Sequence, residues 1–153
     1  MKMLVCTDGS EHSQKALAKA SLIAAGPGVE EIAVINVYDS KMELHTSAWG
    51  SRDFAVTEDD IRRLREMHEE QKEARKKMLD DAVSYFAEKG FKARPILKEG
   101  HPSHTIVSVA EEEGFDTIVI GSRGLGGLKK LLLGSVSNAV AQEADNCTVI
   151  IVK

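Results

Sequence analysis

Short apolar segments alternate along this chain with longer segments of helical periodicity. Several apolar segments are continuous blocks rather than strict apolar–polar alternations, which is typical of strands covered on both faces of a parallel sheet. Strands that alternate with helices in this way predict right-handed crossovers and a layered α/β fold, with residues 1–153 as one domain. The five predicted strands cover residues 3–7, 31–38, 91–97, 117–120 and 148–152.

Capping and breaking residues bound four predicted helices. Ser and Thr are favoured at the residue before a helix, Pro in the first helical turn and Gly just after the last. By these signals the helices run from the Ser10 cap to residue 25, from Thr57 to Gly90, from Pro102 to residue 113 and from Ser135 to about residue 144. No periodicity persists between residues 39 and 56, which predicts a long loop there.

The second predicted helix carries one apolar stripe and one charged face. At 1.5 Å per residue it would be about 45 Å long, which is longer than the strands require, so its first turns are expected to project or fray. The charged face mixes both signs and is interpreted as solvated. The stripe consists of Ile61, Leu64, Met67, Gln71, Ala74, Met78, Ala82, Tyr85 and Phe86.

Composition excludes several classes of protein. The formal net charge of −4 argues against a nucleic-acid binder, which usually has a basic domain or stripe. No run approaches about 20 apolar residues, so no membrane span is expected, and the first residues lack the long apolar core of a signal peptide. We therefore expect a cytoplasmic protein. Cys6 and Cys147 lie in apolar runs and are interpreted as buried free thiols.

The most informative segment is Gly121-Ser122-Arg123-Gly124, followed by nine residues and then Gly134-Ser135. It follows a predicted buried strand and leads into a predicted helix. Glycines let a backbone approach a phosphate closely, and the first N–H groups of a helix attract anions. The segment therefore predicts an anion-binding loop, with ATP as the best candidate ligand. Arg123, Lys129 and Lys130 are candidate cations near the phosphates, although the two lysines fit a solvated loop equally well.

A second candidate segment ends the first predicted strand. Ligands of an open doubly wound sheet bind outside the carboxyl ends of its strands, where Asp8 and the glycine segment should meet. Asp8 can accept hydrogen bonds from ribose hydroxyls or a base amino group, but a helix-cap or turn role would explain it as well. The glycine segment is neither a P-loop nor a nucleophile elbow, so Ser135 is interpreted as a phosphate contact or a plain helix cap.

The histidines give little sign of a metal centre. His101 and His104 lie three residues apart around Pro102, but no cysteine or second carboxylate cluster is close in sequence. We predict no metal site of the chain's own. Mg²⁺ or Mn²⁺ would arrive with the nucleotide phosphates.

Together these segments resemble the universal stress protein family. The resemblance rests on the first strand with Asp8-Gly9-Ser10, the long second helix, Gly100-His101-Pro102 and, above all, the glycine spacing. It implies a Rossmann-like, adenine nucleotide alpha hydrolase-like fold with three layers and five parallel strands in the order 3-2-1-4-5. It also implies a homodimer paired through the last strand, residues 148–152, whose apolar edge would otherwise be exposed.

The resemblance also implies a set of ligand contacts. Asp8 and the backbone around Val37 would hold the adenosine, with Cys6 beside it. One departure from the family is Cys6-Thr7, where small or proline residues are frequent. The remaining implied contacts are Ile120, Gly121, Arg123 and Gly124 at the ribose and phosphates, and Gly134, Ser135 and Val136 at the phosphates.

Three functions follow from this pattern. The first is an ATP-binding regulatory or stress-response module with slow or no hydrolysis, because no general base or base–nucleophile pair is evident in the sequence. The second is an ATPase or nucleotidyl-transfer enzyme with Asp8, His101 or His104 as acid or base. The third is a protein-interaction module with a vestigial nucleotide site. ADP or AMP could also bind.

Overall fold

The computed structural model describes residues 1–39, 57–124 and 133–153. Most of the predicted loop over residues 39–56 lies outside these described residues, as do Lys129 and Lys130. Every other predicted element can be compared with the structure.

All five predicted strands and four predicted helices are present. The strands form one parallel sheet in the order β3-β2-β1-β4-β5, which confirms the predicted 3-2-1-4-5 topology. The elements in chain order are β1 Lys2–Cys6, α1 Glu11–Ala24, β2 Glu31–Tyr38, α2 Glu58–Glu88, β3 Ala93–Glu99, α3 Pro102–Glu112, β4 Thr117–Gly121, α4 Ser135–Glu143 and β5 Thr148–Val152.

Among the strands, only β3 departs from its predicted bounds by more than one residue. The N–H of Phe91 donates to the carbonyl of Phe86 and closes the end of α2, so Phe91 belongs to the connection rather than to the strand. At the other end, pairing with β2 carries β3 on to Glu99, which lies opposite Tyr38. Charged side chains are tolerated there because β3 is an edge strand.

Helices cover both faces of the sheet and create two core layers. On one face α3 and α4 pack on a layer that includes Leu4, Ile35 and Ile118. On the other face α1 and α2 pack on a layer that includes Met3 and Val34. Alternate residues of each strand thus enter opposite layers, which is why the strands read as continuous apolar blocks.

Two helix starts confirm the predicted caps. The hydroxyl of Ser10 accepts the N–H of Ser13 at 3.2 Å. Thr57 and Asp60 form a capping box in which each side chain accepts the other residue's N–H. These caps satisfy N–H groups that have no partner within the helix, so they locate the starts of α1 and α2.

The long helix α2 is buried over only part of its length. Its 31 residues span about 46 Å, and its buried residues, Leu79, Ala82 and Phe86, all lie in the second half. In the first half, Ile61 and Met67 keep 41% and 48% of their surface exposed. The apolar stripe is therefore a core face only from about Leu79 onward, and the expectation that the first turns project is confirmed.

None of the helices within the described ranges has both the length and the apolar character needed to cross a membrane.

Candidate functional site

The ends of β1 and β4 lie side by side at the carboxyl edge of the sheet. Val5 pairs with Val119, so the segments that follow these strands leave the sheet next to each other. Their closest approach joins Asp8 and Gly124: a Cβ built on Gly124 would lie 2.6 Å from Oδ2 of Asp8. The structure thus brings together the two segments that the sequence predicted to meet.

The two carboxylate oxygens of Asp8 make different contacts. Its Oδ1 accepts the N–H of Ser10 at 3.0 Å, which is the turn role considered for this residue. Its Oδ2 faces Gly124 in the glycine segment. The turn contact uses one carboxylate oxygen and fixes the side chain, and the half-buried carboxylate remains directed at the space beside the loop.

Gly121 has a structural reason to lack a side chain. A Cβ at this position would lie 2.7 Å from the carbonyl carbon of His12 and 2.9 Å from the nitrogen of Ser13. Gly121 therefore allows the first turn of α1 to pack closely on the end of β4. Any contact of Gly121 with a ligand must come from its backbone.

Ser122 connects the loop to α4 and to β5. Its carbonyl accepts the N–H of Gly134 at 2.7 Å and the hydroxyl of Ser137 at 3.0 Å. Its N–H donates to the carbonyl of Val152 at 2.7 Å. These bonds hold the start of α4 against the glycine segment, although the residues between them in sequence are not all described.

The amino end of α4 has no side-chain cap within the described residues, and Gly134 precedes the helix in extended conformation. Since the first N–H groups of a helix have no intrahelical partner, those of Ser135 and Val136 are directed at the space before the helix. An open helix start of this kind attracts anions through both its N–H groups and the helix dipole.

Arg123 lies next to the residue that precedes this helix. A Cβ on Gly134 would lie 3.3 Å from Cα of Arg123, so the two residues are in contact. Nε of Arg123 is buried and has no hydrogen-bond partner within the described part of the chain. A buried, unpartnered donor next to an open helix start fits an anionic oxygen.

The apolar members of the predicted site share one core layer. Cys6 and Ile120 are buried in the layer beneath α3 and α4, and Val37 and Val136 pack against it partly buried. Burial, and secondly the charge of Asp8, raises the pKa of Cys6 far above its usual range. Cys6 is therefore an uncharged thiol that contributes apolar surface, and it does not act as a nucleophile.

The structure also brings together a Ser and a His that the sequence did not reveal as a pair. Oγ of Ser122 lies 3.4 Å from Nδ1 of His12. Because Ser122 is only 1% exposed, its hydroxyl is not presented to a substrate. The contact ties α1 to the end of β4.

Asn36 is a second residue that sequence analysis missed. It is 1% exposed; its Nδ2 donates to the carbonyl of Thr7 at 2.6 Å, and its Oδ1 accepts from Arg75 at 3.3 Å. It holds the backbone just before Asp8. The sequence feature that could have indicated Asn36 is its position as a polar amide inside the apolar block of β2.

His101 and His104, the histidines considered as metal ligands, lie at the start of α3. His101 precedes the helix, and its Nδ1 is 3.2 Å from Oγ of Ser103. Across the described ranges, no three side chains of His, Cys, Asp or Glu are grouped as metal ligands.

Comparison with known proteins gives full-length matches. The model of the Universal stress protein family matches residues 1–153. Universal stress protein YxiE of Bacillus subtilis (strain 168) is 39% identical over 152 residues, 99% of this chain and 98% of that protein. Universal stress protein MJ0577 of Methanocaldococcus jannaschii is 32% identical over 161 residues, 99% of this chain and 94% of that protein.

Solved structures match over the same extent. The structure of MJ0577 superposes with a TM-score of 0.79 at 29% identity and covers 99% of this chain and 94% of its own. The universal stress protein from Archaeoglobus fulgidus, solved in complex with dAMP, gives a TM-score of 0.65 at 25% identity and covers 100% of this chain and 98% of its own.

Proposed function

This chain belongs to the universal stress protein family, and we propose that it is a cytoplasmic, ATP-binding member that acts as a nucleotide-dependent regulatory module in the stress response. The observation that carries the proposal is the open start of α4 beside the buried, unpartnered Nε of Arg123. This arrangement offers N–H donors and a cation to one anionic group at the carboxyl edge of the sheet, where ligands of this fold class bind.

Each part of ATP has candidate contacts. The carboxylate of Asp8 and the backbone at Val37 would hold the adenosine, over apolar surface from Cys6 and Ile120. The phosphates would lie at the loop and the helix start. Their candidate contacts are the backbone of Gly121, Arg123, Gly124, Gly134, Ser135 and Val136.

The dAMP complex of the Archaeoglobus fulgidus relative supports an adenine nucleotide as the ligand class. ADP and AMP would share the adenosine contacts and lose part of the phosphate contacts. Mg²⁺ or Mn²⁺ would reach the site on the phosphates, since the described residues offer no cluster of three metal ligands.

We propose slow or no hydrolysis, because the two candidate general bases described near the site have other roles. Asp8 accepts the N–H of Ser10 with one oxygen and is assigned to the adenosine with the other, and His12 faces the buried hydroxyl of Ser122. The alternatives are an ATPase or nucleotidyl-transfer enzyme, and an interaction module with a vestigial site. ATP turnover that is lost in Asp8→Ala while binding is retained would favour the enzyme.

The first test is calorimetric titration of the nucleotide-stripped protein with ATP, with and without Mg²⁺. We expect micromolar affinity, roughly −8 kcal/mol. Arg123→Met should weaken binding about 10- to 100-fold, because a hydrogen bond to a charged group contributes roughly 1.5–3 kcal/mol.

The matched control for this titration is Arg62→Met. Arg62 is an exposed arginine of α2 that pairs with Asp59 at 2.6 Å, so its loss should leave the affinity unchanged. An absence of binding heat, together with no thermal stabilisation by ATP, would contradict ATP binding and favour the interaction module. Equal ATP affinities for the Arg123 and Arg62 variants would show that Arg123 does not contact the nucleotide.

We also propose that two copies of the chain pair through their β5 strands. β5 is an edge strand whose apolar residues stay half-buried rather than covered. The N–H of Thr148 and the carbonyl of Val152 both bond toward the β4 side. Since backbone groups alternate in direction along a strand, those of Val149 and Ile151 face away from the sheet and are available to a partner.

This geometry allows a test of the dimer without disrupting the sheet. Val149→Pro removes an outward N–H and no bond to β4, so it should convert a dimer into a folded monomer in light-scattering measurements. Val149→Ala keeps the N–H and should remain dimeric. A wild-type protein with the mass of a single chain would contradict the proposal.

A further inference from the structure

A cavity of about 620 Å³ lies between α1 and α2, apart from the proposed nucleotide contacts. We propose that this cavity binds a small, uncharged aromatic molecule that carries one hydroxyl or N–H donor. It lies on the face of the sheet opposite the layer that contains Cys6 and Ile120, because its lining residues Leu17 and Ala82 belong to the other core layer.

The size and the walls of the cavity fit a compact apolar ligand. Small-molecule sites usually have volumes of roughly 300–1,000 Å³ and predominantly apolar linings with few polar groups. Leu17 and Met78 contribute aliphatic and thioether surface, and Tyr85 contributes a ring. Thioether sulfur and aromatic rings attract each other, so this wall favours an aromatic ligand over an aliphatic one.

Thr7, a buried residue of the cavity lining, offers a polar contact in addition to the exposed amide of Gln14. Thr7 is 6% exposed, and its hydroxyl donates to Oγ of Ser13 at 3.4 Å and accepts the N–H of Gly9 at 3.5 Å. Both bonds are long, and one lone pair of the oxygen is left over. The hydroxyl of Ser13 donates its own proton to the carbonyl of Ser10, so the Thr7 hydroxyl is the donor in the bond between Thr7 and Ser13. A ligand that contacts this oxygen must therefore bring a donor.

The charges in the lining balance each other. Lys77 and Asp81, both largely exposed, pair at 3.4 Å. A ligand with a net charge would meet one attractive and one repulsive group, so this pair selects neither cations nor anions. An uncharged molecule loses the least hydration on entering such a cavity.

We would test the cavity by NMR titration with 2-naphthol as the probe. The protein would carry ¹³C in its methionine methyl groups. The methyl carbon of Met78 lies against Gly9 at the cavity, where a Cβ on that glycine would be 2.9 Å away. We expect a saturable shift of the Met78 signal, assigned through Met78→Leu. Met67, on the same helix but 48% exposed and outside the cavity lining, is the internal control and should not move.

A matched pair of variants locates the probe. Ala74 and Ala87 are both exposed alanines of α2, but only Ala74 lines the cavity. Ala74→Phe should fill the space and weaken 2-naphthol binding at least about tenfold, whereas Ala87→Phe should not. Ala18→Phe, from α1, provides a second filling variant should Ala74→Phe fail to fold. The titration uses nucleotide-free protein, so its result is independent of ATP binding.

Two results would overturn the inference. One is an unsaturable shift that Met67 and Met78 share, which indicates surface association. The other is equal affinity in folded Ala74→Phe or Ala18→Phe and in wild-type protein, which places the probe elsewhere.

Discussion

Replacement of Gly124 by valine is expected to weaken ATP binding by at least about 100-fold, which corresponds to about 2.7 kcal/mol. A Cβ at this position would lie 2.6 Å from Oδ2 of Asp8, so the branched side chain must displace the carboxylate or enter the proposed phosphate space. The backbone of Gly124 lies outside the left-handed region, and the residue is exposed. The substitution should therefore leave the fold intact.

Calorimetric titration with ATP and thermal unfolding without nucleotide measure the two effects separately. Gly26→Val is the matched control, since Gly26 follows α1 and also lies outside the left-handed region. Its Cβ would approach only the carbonyl oxygen of Ile23, at 3.2 Å, so ATP affinity should be unchanged. A Gly124 variant that binds ATP as well as wild type would show that the nucleotide lies elsewhere.

The second large effect concerns stability. Phe86→Ala is expected to lower the free energy of unfolding by about 3–5 kcal/mol, because Phe86 is fully buried and its loss leaves a cavity between α2 and the sheet. Its ring also packs edge-to-face on Tyr85, with ring centroids 5.8 Å apart. Urea titration of both proteins measures the difference directly.

Ile61→Ala is the matched control on the same helix and the same apolar stripe. Ile61 is 41% exposed, so this variant should stay within about 0.5 kcal/mol of wild type. A loss at Ile61 comparable with that at Phe86 would mean that the first half of α2 is also covered in solution.

Local signals in the sequence were sufficient to predict the strands and helices, whereas the order of strands in the sheet was implied by the family resemblance. The apolar blocks mark strands buried on two faces, and the caps at Ser10 and Thr57 mark helix starts, because both signals depend on residues within a few positions. The same locality explains the error at β3. Phe91 is as apolar as a strand residue, but its N–H closes the end of α2.

The sequence also indicated both segments of the candidate site. Asp8 and the spacing between Gly124 and Gly134 were recognisable because a turn and a helix start need particular residue types. The contacts of Ser122 and Asn36 were not recognisable, because their partners lie far away in the chain: His12 lies 110 residues from Ser122, and Arg75 lies 39 residues from Asn36.

The sequence by itself determined the order of strands and helices, the family, and the chemical character of the loop at Gly124, since each is recorded in residue type and spacing. The tertiary structure alone decided which residues share a surface. It brought Oδ2 of Asp8 to Gly124 and assigned Gly121 to the packing of α1. It also buried only the second half of the α2 stripe, because burial depends on what packs across the sheet and not on the periodicity of one helix.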